Sequence, residues 1–200
     1  MSKTFMIMAL ITATVAAAMI ACNSGSASGK TDTDIPVDQK VKRGEYLVSI
    51  IGCDDCHSPK RMGAHEPEII PELRLSGFNK AMRLADPDTA QVNRGWMMLA
   101  PDLTAAVGPW GMSFAANLTP DATGIGNWTE ENFITALRHG KYKGVKTNRN
   151  LLPPMPWFVY KNMTDEDLSS IFAYLKTLTP VENVVPAPVP FSELNNNSRK

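Results

Sequence analysis

Cys53-Asp54-Asp55-Cys56-His57 is the stretch that governs the reading of this 200-residue chain. Two cysteines separated by two residues reach both vinyl-bearing edges of one porphyrin ring, and a histidine directly after them is placed to ligate the iron. A bare Cys-x-x-Cys also suits a dithiol redox centre or half a zinc site, and in an oxidising compartment it closes as a local disulfide. None of these alternatives accounts for His57. A covalently attached haem does, and it also supplies an apolar centre around which short helices can pack.

Upstream of this motif the chain sets the compartment. A single charge at Lys3 precedes the mostly apolar run from Phe5 to Ala21, interrupted by Thr12 and Thr14, and Cys22 comes next. Residues 1–21 are therefore a targeting segment, excluded from the fold. The ending Met19-Ile20-Ala21-Cys22 is similar to a bacterial lipoprotein cleavage site, with methionine where leucine is more usual. On that reading Cys22 becomes the lipidated first residue of a periplasmic, membrane-anchored protein. A soluble secreted form cleaved nearby and an uncleaved anchor are the other two readings, and all three place the domain outside the cytoplasm. Lipid on Cys22 and haem on Cys53 and Cys56 together use all three cysteines of the chain.

Composition divides the remainder. Residues 22–38 are rich in Ser, Gly, Thr and Asp and cannot bury a core, which predicts a flexible tether. Residues 39–185 are long enough for one domain, and 186–200 form a Pro-rich, disordered tail. Three helices are predicted within the domain. The first spans about Gln39 to Ile51, with Tyr46, Leu47, Ile50 and Ile51 as its apolar stripe, and delivers the cysteines just beyond Gly52. The second starts at an N-cap on Thr129, carries Glu130 and Glu131 in its first turn and ends near Gly140. Thr164 caps the third, which has Asp165, Glu166 and Asp167 at its positive end and Leu168, Ile171, Phe172 and Leu175 on one face.

The iron's sixth position has several candidates. His65 lies in a turn close to the attachment site and His139 at a helix end, both ordinary places for a surface histidine. Met155 stands in Leu152-Pro153-Pro154-Met155-Pro156-Trp157, where flanking prolines restrict the backbone and present the thioether from a stiff loop. Met163 is its rival, although its place before the Thr164 cap is satisfied by a hydrophobic staple. Met112 and the pair Met97-Met98 read as core residues.

The chain resembles a class I c-type cytochrome, and in particular the single-haem cytochromes and cytochrome subunits of bacterial extracytoplasmic dehydrogenases. The likeness covers residues from about 40 to 183. It rests on Arg43-Gly44-Glu45-Tyr46-Leu47 leading to the haem motif, on Asn117-Leu118-Thr119-Pro120-Asp121 with Thr123-Gly124-Ile125-Gly126-Asn127-Trp128, and on Pro154-Met155-Pro156-Trp157 followed by Met163-Thr164-Asp165-Glu166-Asp167-Leu168 and Ala173-Tyr174-Leu175. The resemblance implies an all-α class I cytochrome c domain, its short helices gathered round one covalently bound haem c, with an extended central loop region. It implies thioether links at Cys53 and Cys56, His57 as proximal and Met155 as distal iron ligand, and a close crossing of the first and last helices at Gly44 against Tyr174. Asn117 and Trp128 would lie beside the haem and position its propionates or cover the ring. The competing reading of that loop is a glycine-rich turn with Trp128 as a core aromatic.

The departure from the compact form of the family is the sixty or so residues between the haem motif and Asn117, which contain Pro67, Pro71, Pro87, Pro101 and Pro109 and no strong helical period. They read as recognition surface or as haem-covering wrap, with Trp96 and Trp110 assigned no role.

Single-electron transfer is the function these features imply, by a tethered carrier or a cytochrome subunit of a respiratory or dehydrogenase chain, with a dehydrogenase, oxidase or another cytochrome as redox partner. A haem enzyme or ligand sensor with an open or displaceable sixth position is one alternative. A haem-free dithiol protein is another, and requires a depressed thiol pKa. A structural module stapled by haem is a third. Twenty basic residues balance twenty acidic ones, so overall charge steers no partner and nucleic acid binding has no support. Arg138, Lys141, Lys143, Lys146 and Arg149, uninterrupted by any acidic residue, form either a solvated loop or a basic face for an acidic redox partner.

Overall fold

The computed structural model describes residues 35–197, with side chains to Leu194. The targeting segment, Cys22 and the tether as far as residue 34 lie outside the described residues. Helix α1, Val37–Ile50, buries Gly44, Leu47 and Val48. After Ile51 the chain turns at Gly52, whose φ of 82° lies in the left-handed region that only glycine enters without strain. That turn starts α2, Cys53–His57, the haem motif itself.

Beyond the haem motif the fold is not all-α. Strands β1, Lys60–Met62, and β2, Pro67–Ile69, pair antiparallel. After the short helix α3, Thr89–Asn93, strands β3, Met98–Leu99, β4, Ala105–Gly108, and β5, Gly111–Phe114, build a second antiparallel sheet in that order. The expectation of helices alone is therefore corrected to helices accompanied by two small sheets. The physical reason lies in burial. All four residues of β4 are buried, so its sequence is a continuous small apolar run without the alternation of a half-exposed strand. The register pairs Gly108 with Gly111, which leaves Pro109 and Trp110 as a two-residue hairpin turn.

Helix α4, Glu130–His139, starts from a capping box in which Thr129 and Asn132 satisfy each other's backbone N–H groups, and it ends at Gly140 with φ 63°. Then come the single turn α5, Trp157–Tyr160, and α6, Asp165–Leu175, capped by the Thr164 side chain on the Asp167 amide. Helices α1 and α6 cross where Gly44 stands. A Cβ there would collide with the Ser170 carbonyl oxygen and lie 2.7 Å from the Tyr174 Cβ, so the approach requires glycine.

The principal core joins Leu47 and Val48 of α1, Phe133 and Leu137 of α4, and Leu168, Ile171, Tyr174 and Leu175 of α6, with Leu75 and Ile125 from the connections. Cys53, Trp128, Met155, Tyr160 and Met163 pack on its margin. A second, smaller cluster of Val92, Val107 and Leu194 is flanked by Met98, Met112, Val189 and Phe191. It anchors the Pro-rich C-terminal stretch, in which Val189 bridges to Met112 and leads into α7, Phe191–Asn197. No helix among the described residues is long and apolar enough to cross a membrane.

Candidate haem-attachment site

The two thiols stand one helical turn apart on α2 and are unpaired. Burial, then the Asp54 carboxylate, pushes the Cys53 thiol up to about 12, and burial with Asp55 also raises Cys56. Redox dithiols need the opposite shift, since the thiolate is their nucleophile. The polypeptide thus lacks the electrostatics of the haem-free alternative.

His57 is buried, and its Nδ1 lies 2.8 Å from the carbonyl oxygen of Ala116. A carbonyl can only accept, so Nδ1 carries the proton and donates. Burial keeps the imidazole neutral by lowering its pKa. The lone pair therefore rests on Nε2, which has no hydrogen-bond partner among the described residues. This is the tautomer and orientation that a metal-ligating histidine needs. With two free thiols on the same short helix and a methionine thioether packed on the same core as Cys53, the donor set fits haem c.

Several residues that sequence reasoning did not single out hold this helix in place. Arg74 grips the Asp54 carboxylate through Nε at 3.0 Å and a terminal guanidinium nitrogen at 2.8 Å, while its other terminal nitrogen donates to the Tyr174 hydroxyl at 2.7 Å. The Ser58 hydroxyl donates to the same carboxylate at 2.7 Å and accepts from the Leu75 amide at 2.9 Å. Lys60 donates to the backbone carbonyls of Asp54, Asp55, Ser58 and Asp102, which places a cation at the C-terminal end of α2, where the helix dipole favours one. The Gly77 amide closes the ring on the His57 carbonyl at 2.8 Å. Acidic residues inside a haem motif with Arg and Lys within the next twenty residues were the available signal.

Met155 is half-buried on the principal core, in a loop with a cis Pro153–Pro154 peptide. The Ser113 hydroxyl at the end of the β4–β5 hairpin donates to the Pro153 carbonyl at 2.7 Å, and Trp110 donates to Ser113 in turn. Five residues beyond Met155, the Tyr160 hydroxyl donates to the Ile51 carbonyl at 2.7 Å, just ahead of Gly52 and Cys53. Met163 also packs on the principal core, directly before the Thr164 cap. Met98 and Met112 belong to the second cluster, Met97 is exposed, and so are His65 and His139.

Asn117 is buried with its side chain fully engaged. Its amide donates to Thr123 and to the Val181 carbonyl, and its oxygen accepts from the Thr119 amide and hydroxyl. Trp128 is half-buried, and its indole N–H has no partner among the described residues. In the basic stretch, Arg138 is tied to the Lys161 and Met163 carbonyls and to Asp165, and Arg149 stacks on Tyr142. Lys141 donates to Asn150, while Lys146 faces Glu131 across 3.6 Å at the surface.

A short helix carrying two thiols and a neutral imidazole, linked through Arg74 to Tyr174 of α6, defines a haem-attachment domain. The family model of cytochrome c matches residues 41–179, and the chain belongs to that family. The haem is haem c, covalently bound through Cys53 and Cys56; the domain is periplasmic and transfers single electrons.

Among the most similar proteins is the fructose dehydrogenase cytochrome subunit of Gluconobacter japonicus, 43% identical over 76% of this chain and 25% of its own length. The gluconate 2-dehydrogenase cytochrome c subunit of Pantoea cypripedii is 32% identical over 68% of this chain and 23% of its own. A dihaem c-type cytochrome of Cereibacter sphaeroides is 28% identical over 70% and 37% respectively. The chain thus spans about a quarter of the length of the first two of these relatives.

Proposed function

We propose that this chain carries electrons from an extracytoplasmic dehydrogenase to a further cytochrome or an oxidase, as a carrier or a cytochrome subunit and without a substrate reaction of its own. When bound, haem c supplies the one-electron Fe(III)/Fe(II) couple. His57 is the proximal ligand through Nε2, oriented by the Ala116 carbonyl, and this hydrogen bond is the observation that carries the reading. Met155 is the distal ligand, presented by a loop that Ser113 and Tyr160 fix at its two ends. Asn117 contributes by closing the 117–128 loop, because its amide is engaged there, and the Trp128 indole N–H is the donor left for a propionate. Cys22 is the lipidation site, and the residues between it and the start of α1 at Val37 are the tether of the folded domain. Lys141, Lys143 and Lys146 are the basic groups offered to an acidic redox partner, Arg138 being tied to the chain itself.

The dehydrogenase assignment is supported by the names of the relatives, which are subunits of fructose and gluconate dehydrogenases. Absorption spectra of the exported protein in both oxidation states, compared with those of Met155→Ala, test the ligation. A low-spin ferric haem whose weak far-red sulfur band disappears on substitution is expected. A high-spin wild-type ferric haem that takes up added ligands would move the assignment to the enzyme or sensor reading.

A further inference from the structure

We propose that Arg74 and Asp54 form a charge pair that sets the reduction equilibrium of the site, a role that rests on haem attachment at Cys53 and Cys56 with His57 as ligand. Asp54 stands between the two attachment cysteines, so its position relative to the bound group is fixed by covalent connectivity. Its side chain is 16% exposed and that of Arg74 is 32% exposed, which makes this the least exposed of the described domain's ion pairs when both partners are counted. The grip is two-pronged, and Ser58 supplies a third hydrogen bond to the carboxylate. Such engagement fixes the carboxylate and the guanidinium against each other.

The charges facing this pair are few. Lys60 donates to the backbone carbonyls of Asp54 and Asp55 and is the other cation beside His57, Asp55 is exposed, and the Tyr174 hydroxyl takes the remaining arm of the guanidinium. Reduction adds one negative charge to the site. An unbalanced guanidinium therefore favours the reduced form, and an unbalanced carboxylate favours the oxidised form. With both present the two effects oppose each other. The segment between the haem motif and Asn117 acquires an electrostatic task through Arg74 that loop length alone does not imply. A brace that only held helices together would lower stability when cut, with no opposed signs in the potential.

The experiment is a redox titration of the haem-loaded protein as wild type, Asp54→Asn, Arg74→Gln, the double variant and Arg74→Lys. Covalent haem is checked independently by the spectrum of each denatured, reduced sample, so a failure of haem attachment is seen apart from a failure of the charge pair. Asp54→Asn is expected to move the reduction equilibrium about fivefold toward the reduced form and Arg74→Gln about fivefold toward the oxidised form. The double variant should return to within about twofold of wild type, and Arg74→Lys should stay near wild type even where its thermal midpoint falls. If Arg74→Gln does not accumulate, the double variant must still titrate as less easily reduced than Asp54→Asn. Single variants that shift the same way, or unshifted potentials with lowered thermal midpoints, overturn the proposal.

Discussion

The two sides of the haem site are built differently. On the attachment side, α2 is held by Arg74 and Ser58 on Asp54, by Lys60 on four carbonyls, and by backbone contacts on both the ring and the carbonyl of His57. On the methionine side, the loop has one hydroxyl contact before Met155 and one after it, and Phe158 and Val159 of the α5 turn are exposed. The first arrangement holds the ring and the helix of His57 at many points, whereas the second ties the Met155 loop through fewer side chains.

Substitutions that attack the attachment side should have the largest effects. Replacing His57 by Ala removes the proximal imidazole, and the protein should lose its low-spin spectrum and most of its folded population, measurable by circular dichroism after export. Gly44→Val forces a side chain into the α1–α6 crossing against the Ser170 carbonyl and Tyr174, and should cost about 3 kcal/mol in denaturant unfolding. A cost near zero would mean that the helices can separate without consequence. Met155→Ala should keep haem attached and cost about 2 kcal/mol, while ferric imidazole binding becomes fast and tight. If it unfolded the domain as His57→Ala is expected to, the contrast between the two sides would vanish.

Smaller effects sharpen the same contrast. Tyr160→Phe deletes the hydroxyl that ties the distal segment to Ile51 and should cost about 1 kcal/mol. Its diagnostic signature is faster displacement of Met155 by added imidazole, with the attachment side unchanged. Burial raises the pKa of the Tyr160 hydroxyl, so this tie should not weaken as the pH rises through the neutral and mildly alkaline range. Joint Lys143→Ala and Lys146→Ala should slow transfer to an acidic partner about threefold at low salt and scarcely at high salt. Equal slowing at all ionic strengths would count against charge steering.

Much of the frame was legible because it uses local signals. Thr129 and Thr164 both cap as their sequence contexts predict, and α4 and α6 begin where those residues place them. The Gly44–Tyr174 crossing, expected from family resemblance, is present. The strands escaped because β4 is buried throughout and shows no period-two pattern, although glycines flanking Pro109-Trp110 between apolar runs were a hairpin signal. The supports of His57 escaped for another reason. Ala116 acts through a backbone carbonyl, which every residue possesses, and Arg74 reaches Asp54 across a stretch without periodicity. Side-chain chemistry read along a line cannot reveal a partner brought close by folding.

The β5 hairpin arm has a mechanical consequence. Ser113 touches the Met155 loop through Pro153, and three residues later Ala116 touches the His57 imidazole, so one short extended run acts as a crossbeam between the two. Its alignment is fixed by the pairing of Ala105 with Phe114 and of Ala106 with Ser113. Inserting one residue between Ser113 and Ala116 would carry the Ala116 carbonyl away from the His57 ring while leaving the Ser113 contact in place. The spacing of three along this beam is thus a gauge that sets the Met155 loop and the His57 ring together.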